Sequence, residues 1–557
     1  MSRSWHDFIF GAFDPAGTIT LDKLPGAFWV QALSVRAFGY STWAMVLPQV
    51  VEGVVTVLVL YRAVRRLAGP AAGLIAAFVL AVSPAVVALD RGNISDSLMI
   101  LLLVLAADAV SGAVARGGQW WRLILAGVYV GLAFQAKMIE AWLVLPALGL
   151  AYLISGPGPV WRRVRQLVVA AVAAAVVSLA WMTAVSLVPA ASRPFADGSH
   201  DNSFYQQVFV YNGFGRFGEQ TPLQLLTGVL GQNVSVLELS SAAPGPARLL
   251  EDELGRDTGW LLPAAGLIAV AGLVSLRRKP RGDPLRACLI LWGCWLVTLW
   301  VTFSVTTELN TYYTAALAPA AAAIVGAGVA AAWSADRTSA GRRITLAVIV
   351  AGTAAYAAWL VPSAGRYVPG WLAPAVIAVG VLATVAALAS LAVRREAVFA
   401  AALGAGIIAG SLAPAVASAG LVAGHESAFD TPFEPARAAR AVDSLPLLQA
   451  QVNLLIPRLE LVQEGAPDLM AVQTAAVAAF FASSGLEVLP IGGFTGTIPA
   501  PTLSQLQADI RAGQFHLVLA YSSTDPRIEW IAAHCQNVTK SRTPLKTYFC
   551  LPADAGG

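Results

Sequence analysis

Ionisable residues inside or beside long apolar runs mark places where a chain handles charge at membrane depth, because an unpartnered charge in hydrocarbon is expensive. Three such groups stand out. The first is Asp22-Lys23-Leu24-Pro25-Gly26, just ahead of an apolar stretch. A lysine there can hold a phosphate as a point charge or simply snorkel to the lipid surface. The second is Asp90-Arg91-Gly92-Asn93-Ile94-Ser95-Asp96, between two hydrophobic spans. Asp96 opens a helix, where the dipole favours a carboxylate, so it reads either as a cap or as an acid-base group. Asp90 and Arg91 can pair with each other. The third is Tyr211-Asn212-Gly213-Phe214-Gly215-Arg216-Phe217. Its arginine has the planar fork that suits phosphate, a solvated loop arginine being the bland alternative. Lys137 and Glu140, three residues apart, suit a local ion pair, and Glu308 precedes Asn310-Thr311-Tyr312-Tyr313.

Other chemistries find little support. Asp197, His200 and Asp201 share one loop, a weak pointer to a divalent metal, and no His/Cys cluster has metal-ligand spacing. The turn-rich segment 492–501 (GGFTGTIPAP) lacks the glycine spacing of a dinucleotide site, and neither a Walker motif nor a serine-nucleophile elbow occurs. No cofactor is expected. No basic patch interleaved with aromatics points to nucleic acid.

The elements that must position these residues are mostly transmembrane helices. The chain has 557 residues, of which 57% are hydrophobic and only 12% charged, and its mean hydropathy is +0.67. Ordinary soluble domains carry about 25% charged residues. With about 20 apolar residues per crossing, twelve spans are expected, starting near 44, 71, 97, 122, 139, 166, 260, 286, 312, 344, 371 and 397. The pair at 122–136 and 139–155 reads as a hairpin turning at Lys137 to Glu140. Short loops alternate in charge: one set carries 18 Lys and Arg, including Arg62-Arg65-Arg66 and Arg277-Arg278-Lys279, whereas the other offers only Arg91, Lys137 and Arg366. The positive-inside rule puts the first set in the cytoplasm. Residues 1–43, the loop 188–258 and the tail 425–557 then face outward, with 44–424 as the membrane body.

Within residues 1–43, Leu24 to Phe38 has apolar residues at helical spacing and suits a helix lying in the interface. These residues do not show the basic-then-apolar pattern of a signal peptide, so a truncated start is expected. The tail alternates helix and strand: helices near 471–484, 502–512 and 525–535, and strands near 486–491, 515–521 and 546–551. That alternation predicts a small extracytoplasmic α/β domain with a largely parallel sheet. Cys535 closes one of these helices and Cys550 lies in the last strand, so a disulfide is expected on an oxidising face, against the alternative of two buried thiols.

The segments FGAFDPAGTITLDKLPGAFWVQALSVRAFG, DRGNISDSLMILLLV, GLAFQAKMIEAWLVLPAL, SRPF, YNGFGRFG, NTYYTAALAPA and IGGFTGT, in that order, resemble the bacterial branch of the protein O-mannosyltransferase-like glycosyltransferases. Aminoarabinose transferases are relatives of that family. The resemblance implies an α-helical polytopic membrane protein of the GT-C fold. It also implies an enzyme of the plasma membrane that moves a sugar, mannose in the family's name, from a polyprenyl-phosphate carrier to a cell-envelope or protein acceptor. By position, Lys23 is similar to the family lysine that binds the carrier phosphate, with Asp22 before it, and Arg216 to a supporting loop arginine. Asp96 is similar to the acidic residue of the second outer loop, while Asn310 stands where many relatives have histidine. Asp96 and then Asp22 are the catalytic candidates. Lys23, Arg216, Arg91, Asn93, Lys137, Tyr211 and Asn212 are the substrate-binding ones. The resemblance further implies a helix and an acidic motif upstream of Met1. A transporter or lipid flippase also suits twelve spans, and an inactive, lipid-binding paralogue is a third reading. The absence of paired Gly/Pro-broken helices and the outer-surface position of the candidates favour the enzyme.

Overall fold

The computed structural model describes all residues except 116, 118, 218–220, 231–242, 335–338, 362–367, 394, 427, 429–430, 434–435, 522–523, 540–544 and 557. The loop arginines Arg116, Arg337, Arg366 and Arg394 therefore lie outside the described residues. Two compact units form: one from Met1–Ala37, Ala180–Glu238 and Arg440–Gly557, the other from Phe38–Leu179 and Leu239–Ala439. A linear division at residues 43 and 424 groups the chain differently. The N-terminal segment and most of the long loop join the tail in one unit, which no local composition announces.

Among the described residues of the chain, nine helical runs are long and apolar enough to cross a membrane, and Pro70–Ala81 and Gly259–Ser275 are shorter apolar helices. Local chemistry sets their ends. Ser41 accepts a hydrogen bond from the Ala44 N–H at the start of Thr42–Ala68, Arg65 and Arg66 occupy its last turn, and Gly69-Pro70 starts the next helix. Asp283 accepts from the Arg286 N–H at 2.9 Å and Pro284 fills the first position of Pro284–Val305.

One run, Trp121–Ser155, is built of two arms. Trp121–Lys137 is α-helical, Met138–Val144 is a 3₁₀ segment and Leu145–Ser155 is α-helical again. A Cβ built on Gly117, before the first arm, would lie 3.8 Å from Pro157, after the second. A 17-residue helix rises about 25 Å, so the chain must go out and return. The hairpin, with its tip at Lys137 to Glu140, is the arrangement read from the sequence, and the two short helices and the two arms explain why a span count depends on the length demanded.

In the other unit, Gly26–Phe38 is helical, burying Ala27, Gln31, Ala32 and Val35 while Val30, Leu33 and Phe38 stay exposed. The tail holds a five-stranded sheet of β1 (Ala471–Gln473), β2 (Leu489–Ile491), β3 (Leu517–Tyr521), β4 (Gln536–Asn537) and β5 (Leu545–Phe549). The order is β2-β1-β3-β5-β4. Strand β1 is parallel to β2 and β3, whereas β5 is antiparallel to β3 and β4.

Two expectations need correction here. The sheet is mixed, because the chain after helix Pro526–His534 returns through the short β4 and pairs antiparallel at the edge. The stretch expected to be helical from 471 begins as the fully buried interior strand β1, and Thr474, at φ 74°, ends that strand and caps the helix Ala475–Ala482. An Ala-rich run reads as helix by propensity, but pairing on both edges overrides it. Ile510, Val518, Ile528 and Ile531 close the core beneath the sheet. Cys535 and Cys550 are joined by a disulfide, with Cα atoms 4.7 Å apart.

Candidate functional site

The sequence-predicted residues fall into two clusters, one in each unit. In the membrane body, the first turn of helix Asp96–Ala115 and the tip of the Trp121–Ser155 hairpin converge. Lys137 Nζ donates to both carboxylate oxygens of Asp96, at 2.7 and 2.6 Å, and lies 3.7 Å from Glu140. Asp96 is 1% exposed and Lys137 5%. The ammonium sits 4.2 Å from the ring centre of Tyr313 and 4.8 Å from that of Tyr312, an aromatic box on which a cation is favoured. Ser95 Oγ lies 3.3 Å from Asp96 and the Asn310 amide 3.4 Å from the Tyr312 hydroxyl.

This geometry revises two readings. Lys137 pairs chiefly with Asp96 across 41 residues rather than with Glu140. Asp96 is neither a simple cap nor an open acid: both oxygens lie on one ammonium in a buried pocket. The nearby Asp90 and Arg91 do not pair. Asp90 packs against Gly53, where a Cβ would meet its carboxylate, and Arg91 Nε donates to the Glu426 carbonyl at 3.3 Å. Asn93 is exposed. A cluster that the residue pattern did not flag lies at the far end of helix Asp96–Ala115, where buried Asp108 binds Arg62 at 2.7 Å and Arg66 at 3.0 Å.

In the other unit, Lys23 Nζ lies 2.9 Å from Asp22, and both side chains are about one-fifth exposed, at 21% and 18%. Their backbone is held by the segment that includes the π-helix Gln206–Tyr211. The Gln207 amide donates to the Leu21 carbonyl at 2.8 Å and the Asn212 amide to the Asp22 carbonyl at 2.6 Å. Arg216, in the short helix Phe214–Phe217, reaches the Asn212 side chain at 3.5 Å. Asn212 thus connects Asp22-Lys23 with Arg216. Phe214 and Phe217 beside them are 74% and 49% exposed. Tyr211 packs its ring over Gly198.

Upstream, Asp14 accepts from the Thr18 and Ile19 N–H groups at 3.0–3.1 Å, folding the turn that leads to Lys23. Burial pushes its carboxyl upward, against those N–H bonds. The Asp-Pro turn signal at Asp14 was present in the sequence, but the partners were not.

The three residues weighed as a metal set separate. Asp197 is 2% exposed and accepts from the Gly198 N–H at 2.8 Å and the Phe494 N–H at 2.9 Å, whereas His200 and Asp201 are exposed. Burial pushes Asp197 up to about 8, the Asp22 charge adding to it, while the Phe494 and Gly198 N–H groups and the Lys23 charge pull it down. Among the described residues, no group of three His, Cys, Asp or Glu side chains gathers at metal-binding distance.

The chain has a helical body with nine candidate spans among the described residues and a small α/β tail, an architecture shared in fold with a solved membrane glycosyltransferase-like protein, and in sequence it is similar to proteins named as mannosyltransferases. Residues 22–182 match the dolichyl-phosphate-mannose-protein mannosyltransferase family, and residues 455–534 match the C-terminal region of YkcB-like mannosyltransferases. YkcB of Bacillus subtilis (strain 168), named as a mannosyltransferase, is 29% identical over 97% of this chain and 87% of its own. YycA of the same organism, named likewise, is 30% identical over 59% of this chain and 58% of its own. Among solved structures, ArnT from Cupriavidus metallidurans bound to undecaprenyl phosphate is similar, with a TM-score of 0.52 and 17% identity over 95% of this chain and 87% of that one.

Proposed function

We propose that this chain transfers a sugar from a polyprenyl-phosphate carrier to an acceptor hydroxyl on the outer face of the plasma membrane. The observation that carries the reading is the Asn212-linked set of Lys23 and Arg216, two partly exposed cations, with exposed Phe214 and Phe217 flanking Arg216 in the same short helix. That combination suits a lipid phosphate: cations for the head, aromatics for the apolar boundary. The similarity to ArnT, solved with undecaprenyl phosphate, supports the same carrier class.

In this reading Lys23 and Arg216 neutralise the phosphate as the bond between the sugar's anomeric carbon and the phosphate oxygen breaks, the electron pair leaving on that oxygen. Asp22, 2.9 Å from Lys23, takes the proton of the acceptor hydroxyl as the new bond forms on the opposite face of the sugar. Asp96, locked on Lys137, acts as a structural residue that holds the start of its helix against the hairpin tip within the membrane body. Lys23→Ala and Arg216→Ala are each expected to lower transfer from a radiolabelled polyprenyl-phosphate sugar by about 10²-fold, the scale of losing one preorganised charge-stabilising donor. Unchanged turnover in both would remove the assignment.

A further inference from the structure

The tail domain has the strand order β2-β1-β3, so the chain leaves β1 to one side for β2 and crosses to the other for β3. In doubly wound sheets, the crevice beyond the carboxyl ends of strands at such a reversal is where ligands bind. Here the loop after β2 carries Gly492, Gly493 and Gly496, all at positive φ, and presents the Phe494 N–H outward. What occupies it is a carboxylate of the same chain. Asp197 Oδ2 accepts from Phe494 N at 2.9 Å, and a Cβ on Gly493 would come within 2.1 Å of Asp197 Oδ1. The loop's conformation and its bare Gly493 are both required for this approach.

The other side of Asp197 leads to the proposed phosphate site. Its backbone N–H donates to Thr20 Oγ1 at 3.1 Å, the same hydroxyl that lies 3.2 Å from the Gln207 amide. Phe195 exchanges backbone hydrogen bonds with Thr18 and Thr20, at 3.0 and 2.9 Å. A continuous series of buried and part-buried hydrogen bonds therefore runs from the tail, through Asp197, to the segment that ends at Asp22-Lys23. We infer that Asp197 is a positioning residue for the carrier phosphate: the tail domain grips it in the glycine loop and thereby fixes the backbone from which Lys23 projects. This rests on the reading of Lys23 given above.

The test is a binding cycle on the full-length protein in lipid nanodiscs, with undecaprenyl monophosphate as the probe. Asp197→Ala removes both acceptor oxygens and should weaken binding about tenfold, because small displacements of a charge partner are costly. Asp197→Asn keeps one acceptor and should recover most of the loss. In a Lys23→Ala background, Asp197→Ala should cost nothing further, since coupled residues are non-additive. An equal loss with and without Lys23 would overturn the inference, showing that Asp197 acts on general integrity. If Lys23→Ala weakens binding but Asp197→Ala does not, the positioning role fails and the phosphate reading stands. If Lys23→Ala has no effect, the phosphate reading fails and the role of Asp197 with it. Gly493→Ala approaches the same contact from the tail side and should reproduce the Asp197→Ala loss; normal binding by a folded Gly493→Ala protein counts against the inference.

Discussion

Lys137 is kept charged in an apolar body because everything around it is arranged for a cation: two carboxylate oxygens on one side and two tyrosine rings on the other. Such a pair adds little over a well-packed apolar replacement, but removing one member strands a buried charge and costs about 3–5 kcal/mol. Asp96→Asn or Lys137→Met alone should therefore lower the thermal midpoint in detergent sharply, and the double variant should lie well above the sum of the two losses. Additive losses would show that the pair is not energetically coupled. Asp197 gives a different signature at the residue scale. With its proton held up to about 8 against about 3.9 in an unfolded chain, the native state binds more protons across that window. Stability then falls as pH rises from about 4 towards about 8. The charged groups acting on it are Asp22, which raises its proton affinity, and Lys23, which lowers it. Thermal midpoints of Asp197→Asn across pH 5 to 8.5 should be flatter than those of the parent protein; identical slopes would place the titration elsewhere.

At the scale of elements, the tail depends on a closure that the helices alone do not supply. The disulfide spans 15 residues and ties the end of helix Pro526–His534 to the residue after β5. On the chain-entropy account a loop of that length is worth about 3 kcal/mol. Cys535→Ser/Cys550→Ser should lower tail stability by about that amount while leaving the membrane helices intact by circular dichroism. Full alkylation of both thiols in unreduced, denatured protein would show that the bond is absent. The hairpin Trp121–Ser155 works differently. Its tip is not a flexible turn but a 3₁₀ segment whose first residue, Met138, takes φ 54°, and this places Lys137 beneath the start of helix Asp96–Ala115.

For the whole molecule, the alternation of 18 and three basic residues in short loops predicts which side each connection faces. Single cysteines at His200 and Ala482, both exposed, should react with an impermeant reagent in intact cells, whereas one at Gly282, also exposed, should react only after permeabilisation. The reverse pattern would invert the topology and move the proposed transfer to the other face.

The legible part of this protein is the part that solvent enforces locally. Apolar runs of spanning length, charge at their ends and the alternating tail all follow from what water or lipid demands of each segment. The Asp22-Lys23 and Tyr211-to-Phe217 segments were also visible, because charge and glycine beside aromatics are unusual next to a membrane. What the sequence left open were pairings between distant segments. Lys137 could be matched with Glu140 from spacing alone, but Asp96 lies 41 residues away. Asp197 could be seen only as one of three polar residues in a loop, since Phe494, its partner, is 297 residues further on. Strand β1 was hidden for the same reason, being a strand only because β2 and β3 flank it. Local propensity is written in each residue's own surroundings, whereas a buried ion pair or a gripped carboxylate exists only once the folded chain has brought both partners out of water together.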